Sequence, residues 1–372
     1  MKTITSLRLA ALGLLSVAWH LSASAQTAPE WQERWHQLLN QAKKEGKVVV
    51  LGPPGESVRE AMTRDFSNAF PDIGIEYLGG RSGEQATRLK AERDAGIYSA
   101  DVFVGGTTTA NTQLKPIRAQ DPVQPALILP EVTDPRNWRD RRLEFSDKEG
   151  LYNLVFVNQL KTPLIFNPKQ VKVEEVDELY ELLQPRWKEK IVINDPLPSG
   201  AGNVTFRWIW QVLGPEKARD YYVKIRAHAG AVDRDQRRQI EWVAQGKYAL
   251  LLGPSDGVLY QLLQRGIRVG VLSEFKDYGT SITASFGSVS LLNRAPHPNA
   301  ARVFINWLLG KDGQTAWSKA MDHVSRRTDV PTDHLPPYQT PRPGGRYWIS
   351  HTEENVERSE AEEKILKQLF GR

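Results

Sequence analysis

The sequence predicts an α/β protein made of two doubly wound α/β lobes, and three observations carry that prediction. A unit of strand, small-residue turn and helix occurs three times between Lys47 and Thr108, the pattern of a mostly parallel sheet covered by helices. A second round of α/β units begins with a helix at Val176 and runs to Leu263. The chain has 372 residues, enough for two domains of about 150 residues each.

Composition narrows the class further. At 40% apolar and 25% charged residues the chain is composed like an ordinary globular protein and unlike a disordered one. The formal charge of +5 is spread along the chain. Its densest basic groups, Arg139 with Arg141 and Arg142, then Arg237-Arg238 and Arg326-Arg327, have no aromatic interleaving, so they read as solvated surface and not as a nucleic-acid footprint. There is no cysteine, which excludes disulfides, thiolate metal sites, a cysteine nucleophile and a lipid-modified N-terminal cysteine.

The elements follow in order. Lys2 and Arg8 precede a mostly apolar run from Leu9 to Leu21, and Ala23-Ser24-Ala25 is a small-residue cleavage site before Gln26. This reads as a cleaved secretory signal, since a membrane span needs about 20 apolar residues. Its removal takes two basic residues and lowers the formal charge from +5 to +3. Trp31, Trp35, Leu38, Leu39 and Ala42 recur at helical spacing up to Gly46. Lys47 to Leu51 is a buried strand, and Gly52-Pro53-Pro54-Gly55 leads into a helix with Ser57 as its cap and Val58, Met62, Phe66 and Phe70 inward. Ile73 to Leu78 is the next strand, followed by Gly79-Gly80-Arg81-Ser82-Gly83-Glu84 and a helix to Ala95. Asp101 to Val104 is the third strand, followed by Gly105-Gly106-Thr107-Thr108. Ligands of such sheets sit beyond the carboxyl ends of the strands. Turn chemistry alone explains any one of these turns; three at one sheet edge point to a shared site. None is a phosphate loop, because neither GxxxxGKS/T nor GxGxxG is present.

Residues 116–137 hold five prolines and read as a long surface connection. Leu151 to Val157 and Leu164 to Phe166 are strands, and Val176 to Leu183 is a helix. Ile191 to Ile193 is apolar and β-branched, hence a strand, and prolines 196 and 198 stop it. Ser199-Gly200 then precede a helix whose apolar positions include Phe206, Trp208, Ile209 and Val212. Small residues at that helix start leave its first amides open to a ligand, and the helix dipole favours an anion there. An ordinary capped turn has the same sequence pattern, so the neighbouring turns decide. Helices near Lys217–Ile225 and Gln236–Gln245 follow, then a strand at Tyr248 to Leu252, the turn Gly253-Pro254-Ser255-Asp256-Gly257 and a helix at Leu259–Leu263. After Pro331 come Pro336-Pro337, Pro341, Pro343 and Gly344-Gly345, a polar linker, and a charged helix from Glu353 to Phe370.

Three segments carry a family resemblance: WVAQGKYALLLG, FGSVSLLNRAPHPNAARVFINWLLGKDGQTAWSK from Phe286 to Lys319, and RRTDVP from Arg326 to Pro331. Together with LLQPRWKEKIVINDPLPSG they resemble the periplasmic solute-binding proteins of ABC importers, in particular the type II group that includes the ferric-iron-binding proteins. The resemblance runs from about Lys47 to Pro331 and implies two lobes that close on ligand about a hinge near residues 155–165 and 279–286. Residues 26–154 with 285–331 then form the first lobe, 155–284 the second with its crossovers, and 332–372 a C-terminal addition. The iron-binding members use a histidine, a carboxylate and two adjacent tyrosines. Those positions fall here at Gly55, at Gly106 and at about Asp256-Gly257, so direct iron chelation is not expected and no metal or other cofactor is assigned. The seven histidines show no metal-ligand spacing.

The anion-holding part of the family pattern does match. The resemblance implies that Ser199, Gly200 and Ala201 hold a small anion on backbone amides and that Gln236 adds a side-chain amide. Gly55, Ser82, Gly83, Gly106, Thr107, Asn158 and Ser255 complete the expected ligand-binding set, several of them as hydrogen-bond donors. Arg81 and Arg234 are candidate guanidinium partners for a carboxylate or phosphate, with a surface role as the alternative for each. Asp256 either accepts from a ligand hydroxyl or amine, or caps the helix that follows it. The expected function is therefore capture of a small anionic solute, an organic acid, phosphonate or sugar phosphate, for delivery to a membrane permease, by a monomer that neither binds nucleic acid nor turns its ligand over. The competing classes are a ferric-iron carrier, an exported enzyme on the same fold, for which no GxSxG or HExxH motif appears, and an extracytoplasmic partner of a sensor kinase.

Overall fold

The structure is a computed structural model that describes residues 29–198, 200–342, 344–356 and 360–371. The signal segment and Ser199 lie outside the described residues. Two sheets organise the chain. In the first, the strand order is Gly74–Gly79, Lys47–Gly52, Val102–Gly105, Ser288–Leu292, Leu154–Val155, Glu144–Phe145, with Gln120–Asp121 also paired to Ser288–Leu292. The first three strands are parallel, and Ser288–Leu292 runs antiparallel to Val102–Gly105. Successive side chains of a strand face opposite ways. Val48 and Val50 accordingly pack with Met62, Phe66, Phe304 and Leu308 on one face, and Val49 and Leu51 with Leu89, Phe103 and Leu114 on the other. A sheet buried on both faces explains the unbroken apolar run Val48 to Leu51.

The second sheet has the order Ala229–Asp233, Ile191–Asn194, Leu250–Leu252, Leu164–Phe166, Gly270–Leu272. Its first three strands are parallel, and Leu164–Phe166 is antiparallel to both neighbours. Ile191 and Ile193 face a core with Phe206, Trp208 and Tyr222, while Val192 faces Ile240, Val243 and Leu259. The two lobes are joined by a small third sheet, in which Gln159–Leu160 pairs antiparallel with Thr280–Thr283. The chain leaves the first sheet at Val155 and returns to it at Ser288, passing through this third sheet each way. The architecture is thus α/β with two doubly wound lobes.

Several local expectations need correction. Residues 116–137 are not a surface connection: Val123, Leu127, Ile128 and Val132 are buried in the first core. Proline breaks the segment into short turns whose apolar residues face inward, and Asn306 fixes it by accepting from the Ile128 and Leu129 amides at 2.8 and 3.1 Å. The expected helix at 176–183 is a pair of 3-10 turns, Val173–Glu175 and Leu179–Leu183. Ser57 is not a cap, because the helix Glu56–Ala69 starts before it, with Gly55 at the cap position. The regular strand within 151–157 is only Leu154–Val155. The C-terminal addition holds an unexpected strand, Tyr347–Ile349, parallel to Thr280–Thr283, and helix is described there over Glu353–Val356 and Glu360–Phe370.

Candidate functional site

The carboxyl end of strand Ile191–Asn194 sets up the site. Asn194 donates from Nδ2 to the Gly253 carbonyl at 2.8 Å, tying this strand end to the turn after Leu250–Leu252. The helix Ala201–Leu213 follows at once, with Gly200 at φ 146° before it. That φ belongs to the left-handed side of the map, where glycine alone is unstrained. Gly202 is required for a different reason: a Cβ there would collide with the Asn194 and Asp195 carbonyl oxygens. The helix start is therefore pressed against the strand end. The amides of a first helical turn have no acceptor within the helix, and Gly200 supplies no side chain to cap them.

This helix start opens into a cavity of about 380 Å³ between the lobes. The crossovers contribute Gln159, Lys161, Thr283 and Ser285; the second lobe adds Gly200, Ala201, Ser255, Asp256 and Tyr260; the end of helix Lys311–Met321 adds Met321, Asp322 and His323; and the C-terminal addition adds Gln339. A larger cavity of about 700 Å³ lies elsewhere, between helices Glu56–Ala69 and Lys311–Met321 of the first lobe. It is a groove between two packed helices and gathers nothing from the crossovers or the second lobe. The interlobe cavity is the candidate site.

Its charges are mostly spoken for. Lys161 donates from Nζ to Asp256 Oδ2 and to the Pro254 carbonyl, each at 2.5 Å, and Asp256 Oδ1 accepts from the Thr162 amide at 2.9 Å. Asp256 is consequently a partner of Lys161 first and a helix-start residue second. Asp322 forms no ion pair among the described residues, and burial raises its carboxyl above the usual range, with His334 opposing. Burial also raises the Tyr260 hydroxyl, and the Asp322 charge adds to the effect. His323 is buried and held neutral, its pKa lowered to about 4 by loss of hydration. Its Nδ1 accepts from Trp317 Nε1 at 3.3 Å, which leaves its proton on Nε2. Attraction for an anion must come from the amino ends of helices Ala201–Leu213 and Asp256–Gln264 more than from side-chain charge. Among the described residues no three His, Cys, Asp or Glu side chains are grouped to hold a metal ion.

The candidates from sequence divide into two groups. Gly200, Ala201, Ser255 and Asp256 line the cavity together. The three first-lobe turns are stitched to one another, because Gln85 Nε2 donates to the Gly52 and Leu78 carbonyls and the Gly106 amide donates to Ser82 Oγ at 3.1 Å. A Cβ on Gly106 would lie 3.8 Å from the Ser285 carbonyl, so this edge adjoins the cavity. Gly55, Ser82, Gly83, Gly106 and Thr107 are nonetheless not among the cavity's wall residues. Arg81 is 82% exposed beside Glu84. Arg234 donates from Nε to Asp195 Oδ2 at 2.6 Å and points its remaining surface to solvent. Gln236 opens its helix outside the cavity wall. Asn158 is fully buried; its amide N–H donates to the Val324 carbonyl at 2.8 Å, while both polar side-chain atoms lack a hydrogen-bond partner. The wall residues that sequence reasoning missed include Gln159, Lys161, Tyr260, Thr283, Ser285, Asp322, His323 and Gln339.

Comparison with known proteins now gives the family. The model of the bacterial extracellular solute-binding protein family matches residues 51–315. The chain belongs to that family. An uncharacterized protein of Haemophilus influenzae is 22% identical over 297 residues, 79% of this chain and 82% of that one. Among solved structures, the periplasmic binding protein AfuA of Actinobacillus pleuropneumoniae, with exogenous fructose-6-phosphate bound, is 17% identical with a TM-score of 0.60, over 87% of this chain and 98% of that one. Trichodesmium IdiA (FutA), in complex with iron and citrate, is 16% identical with a TM-score of 0.65, over 87% and 97%. Apo ferric ion-binding protein A of Pasteurella haemolytica is 14% identical with a TM-score of 0.66, over 87% and 98%. These structural likenesses show the type II periplasmic binding protein fold. The solute-binding protein described here is thus a component of an ABC-type importer, periplasmic by family, in a family of binders and not of catalysts.

Proposed function

We propose that this solute-binding protein captures a small anionic solute, an organic acid, phosphonate or sugar phosphate, in the cavity between its lobes and delivers it to a membrane permease. One observation carries the reading. The amino end of the 13-residue helix Ala201–Leu213, capped by no side chain among the described residues, opens into a cavity whose one wall lysine is already engaged by an aspartate. Backbone amides bind a small oxyanion there without a free side-chain cation. AfuA is solved with fructose-6-phosphate and the Trichodesmium protein with iron and citrate; both organic ligands are anions, which supports the class.

Binding begins on the second lobe, where Gly200 and Ala201 present their amides, and Ser255 and Tyr260 add hydroxyls. Closure about the crossovers brings Asp322 and the Ser82–Gly106 edge toward the same solute. The closed form is favoured only by contacts absent from the open one. Residues 1–25 act as the export signal, cleaved near Ala25, and the mature protein works as a monomer.

The test is a thermal-shift screen of carboxylates, phosphonates and sugar phosphates, with ferric ion alone as one arm. A ligand at 100 times its Kd adds about 2.7 kcal/mol of stability, so a true solute raises Tm clearly. Stabilisation by ferric ion with none by any organic anion would instead assign the protein to metal carriage.

A further inference from the structure

The chain after Pro331 extends beyond the residues that match the family, yet it reaches the cavity. It is anchored at three places. On the first lobe Glu353 pairs with Lys115 at 2.6 Å and accepts from the Lys148 amide at 2.9 Å, and His351 hydrogen-bonds Glu144. Strand Tyr347–Ile349 adds to the crossover sheet. On the second lobe Leu366 and Phe370 join the core, Phe370 meeting Phe206 edge-on at 5.2 Å. Between Pro331 and these anchors, the Pro337–Gln339 turn is held by its own backbone bonds, Gln339 amide to Pro336 carbonyl at 3.0 Å and Thr340 amide to Pro337 carbonyl at 3.2 Å. Proline at its first position fixes the backbone further.

Gln339 is 2% exposed and lines the cavity, and its Oε1 has no hydrogen-bond partner. A buried acceptor left unmet costs free energy. Asp322, on the same cavity, forms no ion pair among the described residues and is acceptor-only when ionised. Two acceptors beside an anion-binding helix start do not suit a bare oxyanion, which has little to donate. They suit a solute that carries hydroxyl groups next to its negative charge.

We propose that the Pro337–Gln339 turn is a wall of the solute site and that Gln339 Oε1 accepts a hydrogen bond from a solute hydroxyl, so that the solute is a hydroxylated anion of the sugar phosphate or hydroxy acid class. This rests on the anion reading of the cavity given above, and the experiment separates the two. Calorimetric titration of the full mature chain uses three probes: fructose 6-phosphate, citrate and inorganic phosphate. The variants are Gln339→Leu, Gln339→Asn and Ala201→Glu, and unfolding midpoints without probe check that each folds. The expected result is that fructose 6-phosphate or citrate binds more tightly than inorganic phosphate. Q339L then weakens that probe about tenfold while leaving inorganic phosphate unchanged, Q339N weakens it less, and A201E weakens binding of all three about a hundredfold. Equal affinity of wild type and Q339L for the hydroxylated probe overturns the role of Gln339, while loss in A201E still upholds the anion site. Loss in Q339L with none in A201E upholds Gln339 and overturns the helix-start anion site. Failure of all three probes to bind wild type overturns both.

Discussion

Asp256 is where a single substitution separates the structural role of a cavity residue from a ligand-binding one. Its carboxylate holds Lys161, whose side chain is 6% exposed. Removing one member of a buried pair leaves the other charge uncompensated. Asp256→Ala should therefore lower the unfolding free energy by about 3 kcal/mol, measured by urea denaturation; a change under about 0.5 kcal/mol would mean that Lys161 finds water instead. Asp322 behaves in the opposite sense. Burial raises its carboxyl above the usual value, so the folded state binds a proton more tightly than the unfolded chain. Its contribution is most favourable below the unfolded pKa, near 4, and is lost as pH rises through the higher folded value. It also ends helix Lys311–Met321, where a negative charge opposes the dipole. Asp322→Asn should raise Tm at pH 7, and the gain should shrink to nothing at pH 3; a gain independent of pH contradicts the electrostatic cause.

At the scale of elements, the helix starts were legible and the distant contributors were not. The strand, small-residue turn and helix around Ile191 to Leu213 read directly from β-branched residues, prolines and glycines, because each is a local rule. Gly200, Ala201, Ser255 and Asp256 came with it, since they sit on the turns that such rules locate. Gln159, Thr283 and Ser285 did not, because a crossover strand becomes a wall only when two lobes meet across it. Gln339 was less legible still: a proline-rich stretch looks like a linker, and it is brought home by Tyr338 packing on the second lobe and by Tyr347–Ile349 pairing with Thr280–Thr283. Neither Arg81 nor Arg234 lines the cavity, as charge in sequence says nothing of where a side chain ends. The C-terminal helix makes its own prediction. Leu366 is fully buried against the second lobe, so Leu366→Ala should cost about 3 kcal/mol, read from urea unfolding. A negligible loss would mean the helix is not docked in solution.

For the whole molecule, both crossovers and the added strand lie in one small sheet, which is where the proposed closure of one lobe on the other would be absorbed. The C-terminal addition touches the first lobe through Glu353 and the second through Phe370, so it bridges the two lobes. The central claim is that the solute's negative charge rests on the first amides of helix Ala201–Leu213. Calorimetric titration of wild type and Ala201→Glu with the strongest organic anion of the screen tests it most directly. A carboxylate suits a first helical turn, so the variant should keep its unfolding midpoint while its affinity falls by about a hundredfold, the scale of 2.7 kcal/mol of lost interaction. An unchanged Kd in a folded Ala201→Glu protein would place the solute somewhere else and contradict the account.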